Sequence, residues 1–304
     1  MLENFPNFTP LKLSTQTAVR DLTDQFEPYS DYNFLSLWAW NLSDEASLCI
    51  LNSNLVAKFA DYGSGEPFFS FIGETDVNQT VEILLDYSKT QLGESRLKLI
   101  PEISTREIDG TRFNISADRD NFDYLFSTDE IRQFSGKKFA KRRNTVSSLR
   151  RTHDSITHRL LDLHEPKDES SLVELFTRIK EVRDTKGLED DHNLPVFLRL
   201  LACANQNNLI ITGVYIDEVL VATLVNELLD KTYAVAHLMT ADIGLHAGLY
   251  AYLMKQNAEY LHQAGVALLN FEQDLGVQNL RKAKTLYRPV SFLRKYQISH
   301  LHTN

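Results

Sequence analysis

One succession of patterns occurs twice in this chain, and it limits the folds open to it. In the first half, helices are expected at 15–25 and 31–40, the second concentrating Phe34, Leu35, Trp38 and Trp40. "SLCILN" and "LVAKFADY" read as strands turned at Asn52-Ser53-Asn54, and "PFFSFIG" as a third. "VNQTVEILLDYSKTQLG" is an amphipathic helix stopped by Gly93, and "RLKLIP" is a further strand. In the second half, "SLVELFTRIKEVRD" puts Leu172, Leu175, Phe176 and Ile179 on one helical face. "LPVFLRLLACANQ" is a second helix, with Pro195 at a tolerated early position. "NLIITGVY" and "EVLVATLVNEL" form a hairpin through Asp217. "TYAVAHLM", the helix "GLYAYLMKQNAEYLHQAG" and the apolar run "VALLNF" follow. Both halves thus give two helices, a hairpin, a strand, a helix and a strand, the trace of a duplicated unit.

The strand–helix–strand at 232–271 needs a crossover, so its strands should be parallel. An antiparallel front with one parallel crossover matches the N-acetyltransferase-like (GNAT) topology. The expected class is therefore α/β (α+β), two tandem GNAT-like domains with mixed sheets and a parallel crossover in each half. Domains are expected at 1–140 and 141–304, with the seam in 135–155. A basic helix near 277–286 and a strand near 290–297 complete the reading.

A net charge of −9 argues against a general nucleic-acid coat. Yet Lys137, Lys138, Lys141, Arg142, Arg143, Arg150 and Arg151 follow one another with no intervening acid, and 275–304 is also acid-free. Such runs suit either a solvated face or a local anionic partner. No apolar run reaches the roughly 18 residues of a membrane span, and the N-terminus lacks a signal-peptide pattern. Cys49 and Cys203 alone make no disulfide framework, so a cytoplasmic location is expected.

Three stretches carry a resemblance: "PYSDYNFLSLWAWN", "NFDYLFSTDEIRQFSGKKFAKRRNTVSSLRR" and "NFEQDLGVQNLRKAKTLYRP". Together they resemble the phosphatidylglycerol lysyltransferase C-terminal domain family, whose domains are tandem GNAT-like. The resemblance implies transfer of an aminoacyl group from aminoacyl-tRNA, in membrane-attached members to a lipid hydroxyl. It also implies a Glu-Lys pair at the end of the central strand, where this chain has Met239 and Thr240.

Acyl transfer needs a nucleophile, a route for its proton and stabilisation of an oxyanion. At the tip of "VALLNF", Asn270 could bond the substrate, with Glu272 or Asp274 as base or amine anchor. Arg281 and Lys284, three apart on the next helix, can share a face, and Tyr287 follows; these would hold a phosphate or carboxylate. The plainer reading makes the acids helix caps, Arg281 and Lys284 their ion-pair partners, and Tyr287 core. Lys138, Lys141, Arg142 and Arg143 are candidates for tRNA phosphates, against an exposed helix with one interleaved aromatic, Phe139. "TADIGLHAGLY" lacks the glycine pattern of a pyrophosphate turn and tilts the donor from acyl-CoA toward aminoacyl-tRNA. No tightly bound cofactor is expected, and no metal, since His153, His158 and His164 do not cluster in a ligand pattern; His237 and His246 read as incidental. Three functions stay open: aminoacyl transfer to a small-molecule or lipid-headgroup acceptor, CoA-dependent N-acyl transfer, and non-catalytic binding of an amino-acid-like ligand.

Overall fold

Alternating apolar residues become strands and the 3.6-residue stripes become helices, in the order the repeats imply. The computed structural model describes residues 1–61, 64–188, 192–230, 232–242, 244 and 246–301. The first half comprises β1 (Thr9–Pro10), α1 (Gln16–Thr23), α2 (Phe34–Trp40), β2 (Ser47–Leu51), β3 (Asn54–Ala60), β4 (Pro67–Ile72), α3 (Val77–Leu92), β5 (Arg96–Pro101), α4 (Glu102–Thr105) and β6 (Phe113–Ala117). The second comprises β7 (Asp123–Ser127), α5 (Thr128–Gln133), α6 (Ala140–Thr152), β8 (Thr157–Leu161), α7 (Pro166–Thr185), α8 (Asn193–Ala202), β9 (Leu209–Ile216), β10 (Val219–Leu228), β11 (Tyr233–Ala241), α9 (Leu249–Gln263), β12 (Leu268–Asn270), α10 (Gln278–Thr285), β13 (Ser291–Leu293) and β14 (Lys295–His300).

Two seven-stranded mixed sheets result, ordered β1-β2-β3-β4-β5-β14-β6 and β13-β7-β12-β11-β10-β9-β8. Each contains the parallel pair its crossover demands: β4 with β5, and β11 with β12. The fold is a tandem GNAT-like one. Contacts divide the chain into two compact units. Unit 1 holds 1–124, 272–283 and 292–304; unit 2 holds 125–271 and 284–291.

This division departs from the expected halves at 1–140 and 141–304. Helix α6, placed at the seam by sequence, packs within unit 2 through buried Val146 and Leu149. Two C-terminal segments return to unit 1. The strand expected near 290–297 is in fact two, β13 and β14, parted at exposed Arg294 and lying in different sheets. Alternation reports a strand's two faces and not its partner, so the change of sheet left no mark in the pattern.

In unit 1, α3 lays Val77, Val81, Leu84 and Leu85 on Val56, Phe69, Phe71, Leu97 and Ile298. Full burial of each such aliphatic side chain contributes roughly 1.5–3 kcal/mol. In unit 2, Leu172, Leu175 and Phe176 of α7 are buried, with Phe176 stacked on Phe197 of α8 at 4.6 Å. Helix α9 adds one polar insert: Asn257 Oδ1 accepts from Thr212 Oγ1 (2.9 Å) and Asn226 Nδ2 (2.7 Å). A satisfied buried amide of this kind fixes register as well as adding stability.

Candidate functional site

In unit 2, β11 and β12 run together for three pairs only, Tyr233↔Leu268, Ala234↔Leu269 and Val235↔Asn270. β12 ends there while β11 continues to Ala241. Six residues of β11 therefore extend beyond its pairing with β12 on that side. On its other side β11 bulges. Val225 pairs with Leu238 but Asn226 with Ala236, so His237 is the extra residue. The His237 ring is buried, with Nε2 3.6 Å from the buried Glu227 carboxylate.

The corresponding turn of unit 1, between β4 and α3, is filled by the protein itself. Gly73 N donates to Ser104 Oγ (3.0 Å) and Thr75 N to Asn54 Oδ1 (3.1 Å). A Cβ on Gly73 would lie 2.1 Å from Asn54 Oδ1. Tyr32 OH bonds Ser70 of β4 at 2.6 Å. The Gly73 and Thr75 amides are thereby engaged within the fold. The matching turn of unit 2, which the donor argument used, includes residues 243 and 245, outside the described residues.

Four predicted site residues gather at the end of β12 in unit 2. Asn270 is fully buried. The Lys284 ammonium, 6% exposed, donates to the carbonyl of Phe271 at 2.5 Å and lies 5.2 Å from the Phe271 ring. Tyr287 packs against Phe126 and Phe134. Arg142 of α6 lies 5.6 Å from the Tyr287 ring. Burial pushes the Tyr287 phenol up to about 12, against the pull of Arg142.

Glu272, Asp274 and Arg281 fall in unit 1. Asp274, fully buried, accepts from Arg281 Nε (2.9 Å) and Nη2 (2.7 Å), from Tyr124 OH (2.5 Å) and from the Gly276 amide (3.0 Å). Burial alone would raise its pKa; the Arg281, Tyr124 and Gly276 bonds outweigh it and hold the carboxyl below its ordinary value. Arg281 is engaged on its other side by Asp120 at 2.6 Å. As placed, Asp274 is a saturated anchor, and Arg281 and Lys284 serve separate partners. Glu272 differs. It has a positive φ of 52° and is partly exposed, and its carboxylate accepts from Ser36 Oγ at 2.8 Å.

Beside Glu272, unit 1 holds a charge node the sequence reading missed. Lys295, with a fully buried side chain, donates to Asp123 (2.7 Å), to Gln273 Oε1 (2.9 Å) and to Ser30 Oγ (3.1 Å), and pairs with Asp31. Burial would lower the ammonium's pKa; Asp123 and Asp31 overcome it and raise it, while burial raises Asp31. Ser30, Asp31 and Asp123 lie within stretches that carried the family resemblance, so a signal was present. Its partner 265 residues from Ser30 was not visible.

The basic segment is helical, as its candidates required. Lys141 is exposed. Lys138 pairs with Glu130 (2.6 Å), and Arg143 donates to the carbonyls of Phe134 and Gly136. Phe139 is buried against Phe134 at 5.3 Å and offers no face to a base. Among the described residues one grouping has metal-ligand character, Glu82, Asp86 and His300, with ligand atoms within 4.8 Å of one another. It is a surface cluster, and Glu82 is paired with Arg112.

A family profile matches residues 23–299: the phosphatidylglycerol lysyltransferase C-terminal family. The chain belongs to that family. Among solved structures, a conserved protein of unknown function from Bacteroides thetaiotaomicron is similar over 97% of this chain and 99% of its own, at 20% identity and TM-score 0.81. The C-terminal domain of a putative lysylphosphatidylglycerol synthetase from Agrobacterium fabrum matches over 94% and 91%, at 11% identity and TM-score 0.66. L-PGS from Bacillus licheniformis matches over 98% and 93%, at 12% identity and TM-score 0.62. No curated protein matches. Where the family resemblance implied a Glu-Lys pair, β11 places Met239 opposite Leu224 and buried Thr240 opposite Thr223. No helix among the described residues is long and apolar enough to cross a membrane.

Proposed function

We propose that this family member is an aminoacyl transferase whose acyl group lies along the part of β11 that extends beyond its pairing with β12 in unit 2. The observation that carries the reading is the parting of β11 and β12 after Val235↔Asn270, set against the self-filled turn of unit 1. The donor is aminoacyl-tRNA, guided by the exposed cations of α6, Lys141 first, which places the protein in the cytoplasm. An acceptor hydroxyl or amine attacks the ester carbonyl. The bond to the tRNA ribose oxygen breaks, and the acceptor's proton passes to that oxygen. The Lys284 ammonium and Asn270 amide of unit 2 supply donors to the developing oxyanion.

Ligand-dependent thermal stability tests this, since binding to the folded state raises the midpoint by mass action. Charged tRNA should raise the midpoint, and Lys141→Glu should diminish the shift. A shift with acetyl-CoA alone overturns the donor assignment. A shift with free amino acids and neither donor would favour a binding protein, the reading Met239 and Thr240 support.

A further inference from the structure

Two histidines that read as unrelated in the sequence meet in unit 2. His153 ends α6, His246 precedes α9, and His246 Nδ1 lies 3.0 Å from His153 Nε2. The rings stand at 86° with centroids 4.5 Å apart, and both residues are partly exposed. The backbone is fixed on either side of the pair. The His153 amide donates to the Leu149 carbonyl (3.0 Å) and the His246 amide to the Asp242 carbonyl (3.4 Å). Two residues on, a Cβ at Gly248 would come within 3.3 Å of the Thr145 carbonyl oxygen of α6. The imidazole contact therefore joins the end of α6 to the chain entering α9. Such a contact depends on its proton count. One proton between the facing nitrogens makes a hydrogen bond, which survives when the donor ring becomes an imidazolium. A proton on the other facing nitrogen removes the acceptor and sets two positive rings against each other. Burial and the charge of His153 disfavour protonation of His246, Asp242 and Asp217 favour it, and the balance holds its pKa below the ordinary value. Of those acids, Asp242 lies 3.6 Å from Arg178 of α7 and Asp217 accepts from Ser155 Oγ (2.6 Å). Arg150 and Arg151 close α6, and Asp154 follows His153.

We infer that His153 and His246 form a proton-controlled latch that holds the entry to α9 against α6 and is released in acid, weakening donor binding. The effect on the donor rests on the functional reading above, in which α6 carries the guiding cation Lys141; the latch itself does not. Its sign is distinctive. Protonation alone adds positive charge beside a basic helix and would strengthen binding of a polyanion, whereas release of the latch weakens it.

Ring-proton NMR titration of the full chain tests the latch. His153 and His246 should titrate as a coupled pair, taking their second proton below the ordinary histidine value of about 6.5. Independent titration at that value overturns the proposal. Charged-tRNA affinity, read from the rise in thermal midpoint, should weaken about fivefold or more between about pH 8 and about pH 5. His153→Gln with His246→Asn places amides where the facing nitrogens stood, so the fall in acid should vanish; a fall that persists in this variant overturns the proposal. Stability carries the same signature. Because His246 is held below its ordinary value, the unfolded chain binds more protons in acid, so stability is full above pH 6.5 and drops as pH falls below it. The double variant should lose that component. If charged tRNA binds at no pH, the functional reading fails, and the ring titration alone decides the latch.

Discussion

Asp274 and Lys295 carry the clearest single-residue consequences. Asp274→Asn removes the anion that Arg281 and Tyr124 share, and should cost about 2–3 kcal/mol, read as a lower urea midpoint. Because its folded pKa is depressed below 3.8, its contribution is full above that pH. It is lost as pH falls through the folded value, so the variant should show a smaller acid-induced loss. Lys295→Met strands two buried carboxylates and should cost about 3–5 kcal/mol, partly restored by adding Asp31→Asn. The raised Lys295 pKa has the opposite sign: its contribution is present below 10.5 and lost as pH rises through the folded value. The variant should therefore lose part of the alkaline limb of a stability–pH profile. The pairing of Asp274 with Arg281 was legible because both lie within ten residues. The Lys295 node was not, because Asp31, Asp123 and Gln273 come from three separate stretches that only the fold brings together.

The elements were largely readable, their joins less so. The crossover at 232–271 required a parallel pair, and the pair is there; nothing in "TYAVAHLM" announced that β11 would bulge at His237, since a bulge depends on how the neighbouring strand is spaced. Gly248 shows the same limit. Its φ of 98° lets the start of α9 approach α6, where a Cβ would lie 2.9 Å from Thr145 Cγ2. Gly248→Ala should lower stability by about 1–2 kcal/mol from backbone strain alone, measurable as a depressed thermal midpoint. The same change at Gly93, also left-handed but with open space around its Cβ position, should cost the backbone term and no more.

For the whole molecule, the sequence order of strands differs from their order in the sheets. Unit 1 places β14 between β5 and β6, with its Lys295 among the acids of residues 31 and 123. A fragment of residues 1–140 should therefore lack cooperative unfolding, seen as a sloping denaturation curve and a poorly dispersed amide NMR spectrum. Supplying residues 291–301 as a separate peptide should restore a transition; an independently folded fragment would show that β14 is dispensable. Duplication was visible in the pattern, whereas return of the chain's end to its first unit was not, because hydrophobic periodicity is a local property.

That return bears on how the chain is made. β5 and β6 leave the ribosome early, while the strand between them, at 295–300, is synthesised only after unit 2, which ends at residue 291. At roughly 5–20 residues per second, the first unit waits on the order of ten seconds or more with two strand edges unjoined. Its acids at 31 and 123 have no ammonium during that interval. Emergence of residues 295–300, rather than of the first half of the chain, is the event that closes unit 1, and a translation product stalled before them would expose those edges to chaperones and proteases.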